Sequence, residues 1–373
     1  MSQVKNTFHI RGIDGLRFVA TLVVLAHHIE LGKALFNIPS LGKYYLRSGT
    51  SQTVMTMFFV LSGFLIFYVL INEKNKTGNI EIKNFYKKRV ARIWPVYYLI
   101  VIPSLLWFSF YKWPLPISSA IVNPTFGIDL FYLFQLPNFT ILFGTSVVVL
   151  VHLWSLGAEV QFYLLCPLII KKTKNYLRAF IIIIAVKLFL KIMVAFSYRL
   201  LPLSYESILF LKKLELFLYK LPFEAFAIGG IVAYLFIEKK EKILSFFYQR
   251  YIQWINVLVL LASVPLSSKS ESIQVLIAIN FAVIIINMTG NSKPLILLDN
   301  KYSNYIGQIS YGIYVYQVPL VLIILNIFQP YYSCNHALLW NVIYYITCAF
   351  VTLVVSIISY ELMEKRCIKW ARK

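Results

Sequence analysis

Long apolar stretches, separated by short connections rich in lysine and arginine, run through the whole sequence. Several of these stretches reach the roughly 18–20 residues that a helix needs to cross the hydrocarbon core of a bilayer. The pattern predicts about ten spans, at 14–31, 52–72, 94–111, 147–170, 179–197, 214–237, 251–267, 272–289, 306–328 and 340–361. We therefore predict an all-α, polytopic transmembrane helix bundle in which residues 1–373 form a single integral-membrane domain.

The segment 112–146 departs from this pattern, because it contains four prolines as well as Asp129 and Asn138. Irregular backbone at membrane depth is tolerated only where protein covers it. We therefore expect an outer loop with short or re-entrant helices. Two complete spans in this segment would raise the number to twelve and leave both termini on the same side.

The distribution of basic residues predicts the orientation. With the N-terminus inside, the cytoplasmic connections hold 24 of the 36 Lys and Arg residues, the outer connections hold 8, and four lie within spans. Lysine and arginine are retained on the cytoplasmic side of membrane proteins. We therefore expect both termini in the cytoplasm and a multi-pass protein of the inner (plasma) membrane.

Composition narrows the class of protein further. Apolar residues make up 59% of the sequence and charged residues 14%, and mean hydropathy is +0.72. A soluble domain has about a quarter charged residues, so the composition excludes that class. The net charge of +21 follows the predicted connections, and we expect contact with membrane lipid and none with nucleic acid. The four cysteines are widely separated and predict neither a disulfide framework nor a metal site.

The first predicted span carries ionisable residues on one helical face. At about 100° per residue, Arg17, Thr21 and His28 fall within an arc of roughly 40°. His27 points about 80° to the other side of Arg17, and Asp14 lies about 60° from Arg17 on the side of Thr21. Ionisable groups inside a membrane are costly and usually functional, although a pair of histidines at the membrane interface is the alternative for His27 and His28.

The fourth predicted span carries a second polar face. His152, Ser155 and Glu159 occupy positions i, i+3 and i+7 of HLWSLGAEVQFYLLCPL. Glu159 falls near mid-membrane, where it must be protonated, paired or hydrated. A structural partner of a basic residue is the alternative for Glu159. A nucleophilic role for Ser155 lacks the GxSxG turn that would accompany it.

The most basic connection follows the second span and contains KNFYKKRVARIWP. If this stretch is helical, Lys88 and Arg89 each lie one turn from Arg92. Guanidinium groups bind phosphate in a bidentate way. Ordinary positive charge on the cytoplasmic side, in contact with lipid headgroups, explains the same residues equally well.

Together these segments resemble the acyltransferase-3 family of integral-membrane acyltransferases, which O-acylate surface polysaccharides, peptidoglycan and related acceptors. Six motifs that are similar to those of the family follow in order along the chain. They are IDGLRFVATLVVLAHH, MFFVLSGFLI, KKRVARIWPVYY, HLWSLGAEVQFYLLCPL, ISYGIYVYQVPL and YELMEKR. Two positions differ: Gln317 stands where many relatives have histidine, and Arg366 stands where the closing motif usually has proline.

The resemblance implies that an acyl-CoA, usually acetyl-CoA, enters from the cytoplasm, and that a hydroxyl of an envelope glycan accepts the acyl group outside. It also implies that His28 is essential and that Arg89 and Arg92 bind the donor. No metal is expected.

We interpret His28 as the general base toward the acceptor hydroxyl, because histidine titrates near neutral pH. Arg17 would stabilise a CoA phosphate or the thioester oxygen, and Glu159 would orient a polar partner. His152, Ser155 and Asp14 are assigned to substrate binding. A covalent acyl-histidine intermediate is the alternative chemistry, and a glycan or lipid-linked sugar exporter is the alternative function.

The distribution of basic residues generates a first prediction. A reporter that is active only outside the membrane should be silent when it is fused after Lys373, because we expect the C-terminus in the cytoplasm. It should be active when it is inserted at Ser268, because we expect that connection on the outer side. Reporter activity in whole cells is the measurement. An active C-terminal fusion would contradict the even number of spans.

Overall fold

The computed structural model describes residues 12–39, 49–110, 127–144, 146–267 and 271–372. Within these ranges the regular structure is entirely helical. The helices, numbered in chain order, are α1 Ile13–Leu35, α2 Thr50–Thr77, α3 Ile82–Phe110, α4 Ile128–Leu133, α5 Thr140–Phe143, α6 Trp154–Lys172, α7 Tyr176–Leu200, α8 Tyr205–Tyr219, α9 Phe223–Ile237, α10 Glu241–Tyr248, α11 Arg250–Ser263, α12 Glu271–Gly290, α13 Lys301–Phe328, α14 Ala337–Ser359 and α15 Lys365–Ala371. A 3₁₀ helix, Val148–Leu153, leads into α6, and a π-helical turn, Tyr360–Glu364, joins α14 to α15.

Nine helical segments of the described chain are long and apolar enough to cross a membrane. A tenth, Arg250–Leu266, is apolar but shorter. Each of the ten predicted spans therefore corresponds to a helix, and the prediction of an all-α, polytopic bundle is confirmed. The chain is a multi-pass membrane protein.

Two spans differ from the sequence-based boundaries. Helix α3 begins at Ile82, twelve residues before the predicted start, so the basic stretch after the second span is part of a long helix. The sixth span begins at Tyr205 and breaks between Tyr219 and Phe223. Pro222 lies in this break, where it has no backbone N–H to continue the helical ladder.

The segment expected to hold short or re-entrant helices lies partly outside the described residues, since 111–126 are not described. Its described part, 127–144, contains only α4, a 3₁₀ turn and α5. The hydroxyl groups of Tyr97 and Tyr98 on α3 donate to the carbonyl oxygens of Tyr132 and Leu133, at 2.8 Å each. These bonds satisfy carbonyls at the end of α4, as covered irregular backbone requires. The prediction of short helices is confirmed for 127–144.

Helices α2 and α9 approach each other at glycines. A Cβ atom placed on Gly63 would overlap the carbonyl oxygen of Phe226, and one on Gly229 would overlap the carbonyl oxygen of Val60. Small residues allow such approach between membrane helices. Gly63 is therefore a packing residue between these two helices. Its neighbour Ser62 has a different role, which is described below.

Ion pairs hold several buried charges inside the bundle. Lys187 and Glu224, on α7 and α9, lie 2.9 Å apart and are almost completely buried. Glu30 and Lys33 form a second pair at 2.6 Å with no exposure at all. Asn341 on α14 accepts a hydrogen bond from Lys33, and the Tyr345 hydroxyl donates one to the Glu30 carboxylate at 2.9 Å. These bonds connect the pair on α1 to α14.

The glycine contact predicts a strong effect of added volume. Gly63→Val should destabilise the protein by ~1–3 kcal/mol, the usual cost of overpacking. The new side chain meets backbone atoms, which cannot move aside as a flexible side chain can. The measurement is thermal loss of the monodisperse species in detergent. Ile346→Phe, at a position that is 63% exposed on α14, is the matched control and should melt near wild type. Equal melting of Gly63→Val and wild type would contradict the close contact.

Candidate active site

A cavity of about 390 Å³ lies between α1, α2, α3, α6 and α13. Its polar lining includes six charged or hydroxyl-bearing side chains from five parts of the chain, namely Arg17, Ser62, Arg89, Arg92, Glu159 and Arg372. Aromatic and aliphatic side chains of α2 form much of the remaining wall. The cavity therefore collects several arginines around a single carboxylate and is suited to an anionic ligand with an apolar part.

Arg17 enters the cavity from the first turns of α1. Its guanidinium group lies 3.5 Å from the carboxylate of Asp14, and it is close enough to Arg92 and Glu159 for electrostatic interaction. Thr21, which the helical pattern places on the same face, donates its hydroxyl to the Arg17 carbonyl oxygen at 2.8 Å. Asp14 is thus the ion-pair partner of Arg17, but it is not among the residues that line the cavity.

Arg89 and Arg92 enter from α3, one turn apart. The Arg89 guanidinium group lies over the Tyr163 ring at 5.0 Å and over the Phe85 ring at 5.5 Å. Both arginines are partly buried, whereas Lys88 beside them is exposed. Arg89 and Arg92 line the cavity and Lys88 does not, which distinguishes the two arginines from this exposed basic neighbour.

Glu159 on α6 is hydrogen-bonded within the cavity. Ser62 donates to one carboxylate oxygen at 2.7 Å, and the Tyr163 hydroxyl donates to the same oxygen. Together with the nearby Arg17, these donors stabilise the carboxylate at a depth where an unpaired charge is costly. The mid-membrane carboxylate predicted from the sequence therefore has partners on its own helix and on α2.

Ser155 and Tyr314 lie at the edge of the cavity. Their hydroxyl groups are 2.6 Å apart, and the Tyr314 hydroxyl also lies 2.6 Å from the His152 carbonyl oxygen. The His152 ring uses Nε2 to donate to the Val315 carbonyl oxygen at 3.1 Å. Ser155 therefore contacts the backbone of His152 and not its ring, so the serine–base pair that a nucleophilic serine requires is not formed.

His28 belongs to a group of histidines next to this edge. Its ring centroid lies 5.7 Å from that of His152 and 5.6 Å from that of His27, and the His152 ring lies 5.5 Å from the Tyr314 ring. His28 is not among the residues that line the cavity. The structure thus brings His28 and His152 together, with Ser155 and Tyr314 between them and the cavity that contains Arg17.

The adjacent histidine faces different neighbours. His27 is within electrostatic range of Lys220, whose ammonium group lies 3.9 Å from the Trp154 ring centroid. Lys220 sits at the break in the sixth span. Within the described ranges, no group of three or more His, Cys, Asp or Glu side chains is arranged to hold a metal ion.

Three side chains at the site, those of Tyr163, Ser62 and Tyr314, were not identified as site residues from the sequence. Tyr163 follows Glu159 by four residues, so the helical period alone would have placed it on the same face. Ser62 and Tyr314 each lie within a motif that was used only for its resemblance. Their roles depend on contacts between helices, which no periodicity within one helix reveals.

The fold and the cavity define a class: a multi-pass helical membrane protein with an arginine-lined cavity beside paired histidines. The family model described as "Acyltransferase domain" matches residues 10–361, which is nearly the whole chain. The protein belongs to the acyltransferase-3 family, and the resemblance noted in the sequence is confirmed.

Named relatives agree with this assignment. The chain is 30% identical over 197 residues to the O-acetyltransferase OatA of Staphylococcus aureus, covering 50% of this chain and 30% of OatA. It is 29% identical over 163 residues to YrhL of Bacillus subtilis, which is named as a predicted peptidoglycan O-acetyltransferase, covering 43% of this chain and 23% of YrhL. The chain thus matches less than a third of the length of either relative. No solved structure matches it.

Proposed function

We propose that the protein is a membrane O-acetyltransferase that moves an acetyl group from cytoplasmic acetyl-CoA to a hydroxyl group of a cell-envelope glycan. The observation that carries the proposal is the cavity in which Arg17, Arg89 and Arg92 converge beside the His28–His152 pair. The names of OatA and YrhL support an O-acetyl product and an envelope acceptor.

The arginines suit the charged part of the donor. CoA carries phosphate groups, and arginine is the side chain best suited to bind phosphate through paired hydrogen bonds. A cavity of about 390 Å³ is in the range that holds a small-molecule ligand, and its apolar α2 wall suits the pantetheine arm. In this arrangement Arg89 and Arg92 hold the phosphates, and the arm extends toward Ser155 and Tyr314.

The histidines suit the transfer step. The acetyl end of a donor in the cavity meets Ser155 and Tyr314 before it reaches His28, since both residues border the cavity and the His152 backbone. His28 then takes the proton of the acceptor hydroxyl as that oxygen attacks the thioester carbon. Glu159 keeps Ser62 and Tyr163 oriented and balances part of the positive charge of Arg17.

The donor site generates a quantitative prediction. Arg89→Ala and Arg92→Ala should each weaken acetyl-CoA binding by about 1.5–3 kcal/mol per lost charged hydrogen bond, and the double variant should weaken it further. Binding is measured by thermal stabilisation of the purified protein over a titration of acetyl-CoA. Lys88→Ala, on the exposed side of the same helix, is the matched control and should bind as wild type does. An affinity of the double variant equal to that of wild type would show that acetyl-CoA does not bind in this cavity.

The two adjacent histidines separate the catalytic step from binding. His28→Ala and His28→Gln should lower glycan O-acetylation by ~10²–10⁴-fold, because a general base is lost, and should leave acetyl-CoA binding near normal. His27→Ala should retain substantial activity, since His27 faces Lys220 and not His152. Acetyl groups on envelope glycans are quantified by mass spectrometry in a strain that lacks the gene and carries each variant. A dispensable His28 beside an essential His27 would refute this assignment.

A further inference from the structure

Gln317 on α13 is a buried amide that lies beside the His28 ring and makes no close hydrogen bond among the described residues. Its side chain is fully buried, and neither Oε1 nor Nε2 has a hydrogen-bond partner among the described residues. It faces the His28 ring, and it follows Tyr314 by three residues and Val315 by two. Buried polar groups in native proteins are nearly always satisfied, so such an amide calls for an explanation.

Two of the other buried glutamines, Gln253 and Gln274, show the usual situation. Gln253 donates to the Tyr248 carbonyl oxygen at 3.0 Å and accepts from the Leu295 N–H at 2.6 Å. Gln274 accepts from Thr56 at 2.6 Å and donates to the Ser267 carbonyl oxygen. Gln317 differs from both, because its donor and its acceptor are both left unused at a position that packing holds in place.

Unused hydrogen-bonding atoms cluster around this amide. Nδ1 of His28 and Nδ1 of His152 are also buried without a partner among the described residues. Because His152 donates through Nε2 to the Val315 carbonyl oxygen, its Nδ1 carries a lone pair. The place next to His28 therefore offers at least one acceptor and an amide with two N–H donors, and a bound group with complementary atoms would satisfy them.

We propose that Gln317 is a catalytic residue whose amide N–H donates to the carbonyl oxygen of the acetyl group as that oxygen becomes negatively charged. This role rests on the proposed function. The acceptor oxygen forms a bond to the thioester carbon, and His28 takes the hydroxyl proton. The carbonyl electron pair moves onto oxygen, where Gln317 stabilises it. The carbon–sulfur bond then breaks, and the proton passes from His28 to the departing thiolate of CoA.

The chemistry of an amide fits this role. Glutamine does not titrate, so it serves as a donor at every pH at which His28 is a base. A preorganised donor in a buried site is worth more than one in water, because no solvent must reorganise around it. Since the amide interacts only with the His28 ring beside it and makes no close hydrogen bond, its NH₂ group can turn toward the bound acetyl group at little cost.

The test compares two buried glutamines. Gln317→Leu should lower kcat by ~10²–10³-fold, the usual effect of removing an oxyanion donor, with the KM for acetyl-CoA little changed. Its melting temperature should be equal to that of wild type or higher, because the change removes an unsatisfied buried amide. Gln253→Leu should show the opposite pattern, with a lower melting temperature and an unchanged kcat for the folded fraction. Release of CoA thiol from acetyl-CoA is followed in detergent-permeabilised membranes, where the native envelope acceptors are present.

Two further variants separate donation from positioning of His28. Gln317→Glu keeps the shape and removes the donor at pH values where the carboxyl group is ionised, so it should be as slow as Gln317→Leu there. Gln317→His retains a ring N–H and should restore part of the activity. A kcat of Gln317→Leu equal to that of wild type would overturn the proposal. So would a retained maximal rate with a displaced pH profile, since that result assigns Gln317 to orienting His28. Wild-type membranes that release no CoA would instead refute the proposed function itself and this role with it, whereas the variants address Gln317 alone.

Discussion

Arg17, Arg89 and Arg92 lie in membrane-length helices, and a guanidinium group keeps its charge there. Burying such charges in contact with lipid would be costly, so the surrounding helices must provide a polar cavity and an opposing carboxylate. Glu159, held by Ser62 and Tyr163, is that carboxylate, and Asp14 pairs with Arg17 at 3.5 Å. The bundle therefore stays open around the arginines, although most of its other helix contacts are tight.

The tight contacts hold the walls of this opening in place. The glycines that bring α2 and α9 together fix the helix that carries Ser62, because backbone meets backbone at Gly63 and Gly229. On the other side, a Cβ atom on Gly307 would overlap the carbonyl oxygen of Asp14, so α1 and α13 are equally close. The fully buried Glu30–Lys33 pair extends the contacts of α1 to α14. Contacts of this kind have little freedom to adjust, and the positions of Arg17 and His28 follow from them.

The site is divided into two zones with different chemistry. The arginine zone suits the phosphates of a donor, where charge is an advantage. The zone of His28, His152 and Gln317 contains neutral donors and acceptors, where burial strengthens each hydrogen bond to a reacting group. Ser155 and Tyr314 lie between the zones, and their mutual hydrogen bond of 2.6 Å marks the boundary. Under the proposed function, binding of the donor depends on the arginine zone, and the reaction at its acetyl end depends on the histidine zone.

The sequence by itself determined the membrane class, the places of the long apolar helices and the charged residues within them. Apolar length and helical period are properties of single segments, so Arg17, His28 and Glu159 were recognisable before any packing was known. The period also predicted that Arg89 and Arg92 lie one turn apart, and α3 confirms this because it begins at Ile82. The break in the sixth span was missed even though Pro222 is visible in the sequence.

Only the tertiary structure decided which of these groups meet. The rotation of each helix about its axis and its depth relative to its neighbours are set by packing between helices, and periodicity within one helix carries no information on either. For that reason the sequence grouped Arg17 with His28 on one face, whereas the bundle places Tyr314 and Ser155 between the cavity and His28. For the same reason Gln317, an unremarkable residue in a motif, proves to face His28 with both of its amide atoms unused.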